Sequence, residues 1–381
     1  MKPNINITKI LFVAFVIRFS LMLVNNYVVL LPHGDGDALS FERKAYLLSI
    51  SGYDVDFIEY FLSGSRFFTL ISSFIYLFVG REPFVLAFIM VLLGVWSVKL
   101  VHKASLLLFR DVSVAKKAAW IAALFPQFCL HSALLLREIP INIFLLLSII
   151  SFIKYWKYSK NSSLLPFIFF SSLATLFHSG MFFIFVGFII FNIYRNKKNA
   201  TVKISFSKKY GLPLLLILVM LFLNTNGIGL SKFGGSIESA SETFEQTQNF
   251  KTRGNSAFPQ WMTINGGLSD AWKTPIRFIA FLFAPLLPFM VRSPGHIIGL
   301  LDALIYLFFF YRMYKNRHFL KSNTTTSAIL TIALMLSLVF SMGVTNVGTG
   351  IRHRAKIAPL FILLFIPIQR RARTKSKTYR V

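Results

Sequence analysis

Apolar runs of about 20 residues recur along the whole chain, and a run of that length crosses the hydrocarbon core of a bilayer as one helix. Backbone in lipid has no water to bond, so such a chain must fold as helices that satisfy their own amides. The expected class is all-α: a polytopic membrane helical bundle of about 10–12 transmembrane helices plus interfacial helices. Hydrophobic residues make up 55% of the 381, and mean hydropathy is +0.64, which excludes a soluble core. A net charge of +27 would suggest nucleic acid in a soluble protein. Here Lys and Arg gather at the ends of the apolar runs, where they anchor topology, so no nucleic-acid partner is expected. The lone Cys129 rules out a disulfide framework and a thiolate metal cluster. The first run, residues 10–31, has no small-residue cleavage site and reads as a retained span rather than a signal peptide.

Lys2 and Lys9 put the N-terminus in the cytoplasm, so the first span delivers a loop, residues 32–82, to the outer face. Within it, residues 67–80 are apolar. If they crossed, Lys99, Lys103, Arg110, Lys116 and Lys117 would lie outside, so they are assigned to the interface. Residues 83–100 then cross inward, 118–136 outward to a short Arg137-Glu138 turn, and 139–156 inward. Residues 164–177 run outward to His178, and 181–194 return. Residues 212–223 open a large polar outer loop, 229–275, followed by a second interfacial piece at 276–291. Spans at 297–311, 328–344 and 358–368 precede a basic cytoplasmic tail, 370–381. The chain reads as a single integral membrane domain, 1–381, with both termini cytoplasmic. Every acid except Asp111 and Asp302 falls on the outer face.

Three charged clusters on that face are candidates for chemistry. Asp35 and Asp37 sit in Pro-His-Gly-Asp-Gly-Asp-Ala, where glycines permit tight turns and close approach of a ligand. Two carboxylates at this spacing can share a divalent metal such as Mg or Mn, or one can act as a general base; the alternative is a solvated acidic loop. Glu138 follows Arg137 in a turn too short to carry charge unless it faces a cavity, although a Glu there also caps a helix N-terminus. Arg352-His353-Arg354 falls outside, against the positive-inside trend, and binding a phosphate accounts for it because guanidinium forks match phosphate oxygens; the alternative is a misplaced boundary, with the last span absent and the whole basic stretch cytoplasmic. Arg253 and Arg277 are further anion candidates. His178 is placed at the outer face, as a binding or a capping residue. His131 is expected to be a packed core residue, while Arg18 and Asp302 are expected to face the bundle interior, paired with opposite charges.

The run Gly34-Asp35-Gly36-Asp37-Ala38 through Ala45 is similar to the first outer loop of the GT-C superfamily of membrane glycosyltransferases, which use polyprenyl-phosphate-linked sugars. Phe74-Ile75-Tyr76-Leu77-Phe78-Val79-Gly80 resembles their interfacial segment, and Leu124-Phe125-Pro126 through Arg137-Glu138 resembles a Pro-containing helix ending in an acid. The resemblance covers residues 10–200 and implies that Asp35 or Asp37 is the catalytic base or metal ligand, with Glu138 a second acid at the site. It also implies that Arg352 and Arg354 bind the lipid phosphate. Richness in Phe, Ile and Leu and the large outer loop resemble Wzy-type polymerases as well, and the lack of a soluble C-terminal domain favours these. The expected function is therefore periplasmic-face glycosyl transfer in a bacterial inner membrane, from an undecaprenyl-(di)phosphate-linked donor to a glycan acceptor, as an O-antigen or capsule repeat-unit polymerase. A GT-C monosaccharide transferase and a lipid-linked oligosaccharide flippase are the alternatives. Implied partners are the lipid-linked glycans, membrane lipid and other polysaccharide-assembly proteins.

Overall fold

The computed structural model describes residues 7–198, 257–262, 272–286 and 294–365. Secondary structure there is helical, apart from one isolated bridge between Ala257 and Asn346. The first span is α1 (Thr8–Tyr27). Its loop to the next span folds as three helices, α2 (Leu39–Ile50), α3 (Phe57–Leu62) and the amphipathic α4 (Gly64–Val79). At about 1.5 Å per residue, α4 is shorter than the hydrocarbon core. One face buries Phe67, Phe68 and Tyr76 while Phe74, Leu77 and Phe78 stay exposed, a division that suits a helix lying along a membrane surface.

The next span, α5 (Pro83–Phe109), runs a turn or more beyond the expected 83–100. It packs on α6 (Val112–Leu124), where Ala115, Ala118, Ala119, Ala122 and Ala123 are all fully buried. Small side chains let the two backbones approach closely where lipid offers no hydrophobic drive. The expected continuous span 118–136 is broken. Phe125 is extended and α7 (Pro126–Ser132) starts afresh, because the proline ring excludes helical geometry from the residue before it but suits a first helical turn. The freed carbonyls at the end of α6 are taken by Arg18, which donates to Ala123 O at 2.9 Å and Ala122 O at 3.0 Å. Arg18 is buried as expected, but it caps a helix end rather than pairing with an acid.

The most buried span, α8 (Glu138–Lys157), forms the centre of the bundle and bonds to α9 (Leu164–Phe177) through Ser148 and Ser171, 2.6 Å apart. Then come α10 (Phe183–Lys198), the short α11 (Lys273–Phe283), α12 (Pro294–Lys315), α13 (Arg317–Ser322), α14 (Thr324–Gly343) and α15 (Val347–Phe365). Among the described residues, α1, α5, α8, α12 and α14 are long and apolar enough to cross a membrane. Of the expected loop 229–275 only 257–262 and 272–275 are described, and Arg253, residues 212–223 and the tail 370–381 lie outside the described residues.

The last helix corrects the expected boundary. It begins at Val347, not near residue 358, so Arg352, His353, Arg354 and Lys356 are helical rather than part of a preceding loop. Successive residues on a helix are rotated by about 100°, so Arg352 and Lys356 share a face and Arg354 points away from them. That rotation decides which of these cations reaches the acids.

Candidate functional site

The turn between α1 and α2 is built by local sequence. Leu31 N donates to Asn25 Oδ1 at 3.0 Å, and His33 takes a left-handed conformation with φ 72°. Residues Gly34–Ala38 then form a wide π-type turn leading directly into α2. A Cβ on Gly34 would lie 2.6 Å from Asn25 Oδ1, so the Asn25 side chain, which holds Leu31 N, would have to shift. Asp35 and Asp37 are left exposed on the turn. Other acids of the loop hold it together. Arg81 forks onto Glu42 at 3.0 and 3.1 Å, Tyr76 donates to the same carboxylate at 3.0 Å, Asp56 caps α3, and Glu59 pairs with Arg66.

Glu138 is the first residue of α8 and has no exposed surface. Arg352, from the second turn of α15, reaches both carboxylates. Its Nη1 donates to Asp37 Oδ2 at 2.5 Å, and its Nε and Nη2 donate to Glu138 Oε1 at 3.2 and 2.9 Å. Lys356, one turn further along, places Nζ 3.7 Å from the same Glu138 oxygen. Three segments separated by as many as 315 residues therefore meet in one charged cluster. A buried carboxylate persists in such a place only when cations compensate it; here two do.

The other candidates are placed as follows. Arg137 donates to Phe177 O at 3.3 Å and lies within electrostatic reach of Glu138, Arg352 and Asp37. His178 links α9 to the next turn, its Nδ1 accepting from Gly180 N at 3.2 Å. His353 stacks edge-on to His178, with centroids 4.9 Å apart, and lies beside Phe340. His353 also lies within electrostatic reach of Glu138. Arg354 is not at the site. It is fully buried against Asp302 at 2.9 Å and donates to Leu282 O at 2.8 Å. Arg277 is also elsewhere, with its guanidinium taken by the carbonyls of Met262, Ser341, Met342 and Val344. It fastens the described piece of the outer loop and α11 to the end of α14. Four of its five N–H donors are thus spent on backbone carbonyls, which leaves no fork for a phosphate.

Several site residues carried no signal of their own in the sequence. Lys356, which follows Arg352-His353-Arg354, is one of them. His33 lies beside the acidic turn, 5.7 Å from the ring of His131, and is pushed down to about 4 by burial and the Arg352 cation, so it is neutral at pH 7. Glu138 Oε2, both ring nitrogens of His131 and the side-chain amides of Gln127 and Asn142 are buried with no partner among the described residues. Buried polar groups of that kind are satisfied by ordered water.

A divalent cation does not fit between Asp37 and Glu138. The described residues contain no group of three or more His, Cys, Asp or Glu able to hold a metal ion. The position between Asp37 and Glu138 is filled by a guanidinium, with Lys356 behind it.

No known family profile and no curated protein sequence matches the chain at a significant level. Among solved structures it is similar to the archaeal oligosaccharyltransferase AglB from Archaeoglobus fulgidus, solved in complex with an inhibitory peptide and a dolichol-phosphate. The TM-score is 0.57 at 14% identity, over 94% of this chain and 50% of that one. The chain thus spans half the length of the protein it matches. At this identity the likeness speaks for architecture alone: the chain is a multi-pass, all-α membrane bundle with a GT-C-like fold.

Proposed function

We propose that the protein transfers a glycosyl unit from a polyprenyl-(di)phosphate-linked donor to a glycan acceptor at the cluster of Asp37, Glu138 and Arg352. The observation that carries this reading is the bridge from Arg352 to both carboxylates, which joins an acid able to take a proton to a cation able to hold a phosphate. The acceptor hydroxyl loses its proton to Asp37, whose exposed Oδ1 is not engaged by Arg352. Its oxygen bonds to the sugar carbon as the carbon–phosphate oxygen bond breaks, and the phosphate leaves with that electron pair toward Arg352. Asp35, exposed two residues away, adds negative field beside the base. The dolichol-phosphate in the AglB complex supports a lipid phosphate as the leaving group. With Lys2 and Lys9 cytoplasmic, the site faces the periplasm of a bacterial inner membrane and both termini face the cytoplasm. The donor is then undecaprenyl-linked, and the reaction is repeat-unit polymerisation of O-antigen or capsule, the reading favoured by composition.

The test is the glycan ladder of a deletion strain complemented with Asp37→Asn. The ladder is expected to collapse to a single repeat while the variant reaches wild-type levels in the membrane. A full ladder from that variant sinks the assignment. Loss of even the single repeat in the deletion strain points instead to the monosaccharide transferase or the flippase.

A further inference from the structure

Charge at the site balances without an added ion. Asp35, Asp37 and Glu138 are matched in number by Arg137, Arg352 and Lys356, which all lie within electrostatic reach of Glu138. Arg352 occupies the middle. Its side chain is 16% exposed, Glu138 is fully buried behind it, and Asp37 lies in front, 54% exposed. A cation that bridged the two carboxylates would have to expel a guanidinium already bonded to both. It would also have to share the Glu138 oxygen that Lys356 Nζ approaches at 3.7 Å. A divalent ion and an ammonium drawn to one buried carboxylate oxygen repel each other.

A guanidinium carries five N–H donors. Three are committed here: Nε and one on Nη2 to Glu138, and one on Nη1 to Asp37. One N–H remains on each terminal nitrogen, the arrangement that matches two oxygens of a phosphate. We propose that Arg352 is a built-in cation that takes the place of a divalent metal ion at this site, tying Asp37 to Glu138 and presenting its two remaining N–H groups to the leaving phosphate. The proposal rests on the glycosyl-transfer reading and adds that transfer runs without a bound metal. Lys356 is the positioning residue behind it, holding the Glu138 carboxylate on which Arg352 is oriented.

The experiment uses the full chain purified into proteoliposomes with a polyprenyl-diphosphate-linked donor, plus Mn(II) binding by electron paramagnetic resonance on the same preparation. After exhaustive EDTA treatment, transfer is expected to stay within about 2-fold of the untreated rate, and added Mn(II) to keep the signal of the free ion. Arg352→Lys, which keeps the charge but cannot bridge, is expected to lose transfer by about 100-fold or more, the scale of removing one oxyanion donor. Thermal unfolding of that variant should be close to wild type. Transfer abolished by EDTA and restored by Mn(II) or Mg(II), with one Mn(II) bound per chain, overturns the proposal while leaving the transfer reading intact. Wild-type activity in Arg352→Lys also overturns it. If wild-type protein transfers nothing with or without metal, the transfer reading itself fails, and Mn(II) bound at the carboxylates would still overturn the account of Arg352.

Discussion

Glu138→Gln is expected to abolish glycosyl transfer and to destabilise the protein by about 3–5 kcal/mol, the cost of removing one partner from a buried ion pair. The size follows from burial. Glu138 has no exposed surface, and its carboxylate is the counter-charge for Lys356, itself 1% exposed, and for Arg352. A neutral amide leaves two cations in the protein interior with only the exposed Asp37 nearby. Asp37→Asn should behave differently. Its carboxylate is more than half exposed, so water solvates Arg352 when it is lost. The two variants thus share an activity defect and differ in stability. Thermal unfolding in detergent, alongside membrane glycan analysis, reads both. Wild-type unfolding for Glu138→Gln would mean that the carboxylate is not buried between those cations.

The second large effect lies away from the site. Asp302→Asn is expected to cost about 3–5 kcal/mol, because Arg354 is left in the bundle interior without its anion. Replacing both partners, Asp302→Leu with Arg354→Met, should recover most of that loss, since a buried pair gains little over packed apolar side chains. Transfer by the double variant should match wild type. Stability is read by thermal unfolding and activity by the glycan ladder. A double variant that is stable but inactive would return Arg354 to the phosphate site and contradict its placement here.

This pair of arginines shows where the sequence was legible and where it was not. Apolar runs declared α1, α5, α8, α12 and α14 because nothing in them opposes insertion. Asp37 and Glu138 stood out because charge beside a span demands a reason, and both do reach the cluster. The last helix extends beyond its apolar run, which stops short because hydropathy treats Arg352, Arg354 and Lys356 as solvent-seeking. In the fold each is neutralised within the bundle, by Asp37 and Glu138 or by Asp302. Period alone would have separated Arg352 from Arg354 once that stretch was taken as helical, since residues two apart point to different sides. The break at Phe125-Pro126 was written locally in the proline, but its partner, Arg18, lies more than 100 residues away and could come only from packing. Arg277 misled for a similar reason. A cation in an outer segment suggests an anion, and here the acceptors are backbone carbonyls at the end of α14. His33, Gln127 and Asn142 gave no signal because their interest lies in which buried neighbours they face.

The central claim is that the cluster at Arg352 performs glycosyl transfer from a lipid phosphate. Its most direct measurement is transfer of radiolabelled sugar by the purified protein in proteoliposomes, from a polyprenyl-diphosphate-linked donor to the matching acceptor. The account predicts that product and free polyprenyl diphosphate form in equal amounts with wild-type protein. With Asp37→Asn, both should fall by at least about 100-fold, within the usual contribution of a general base. Equal rates from the two proteins, or movement of the donor across the bilayer with no sugar transferred, would contradict it.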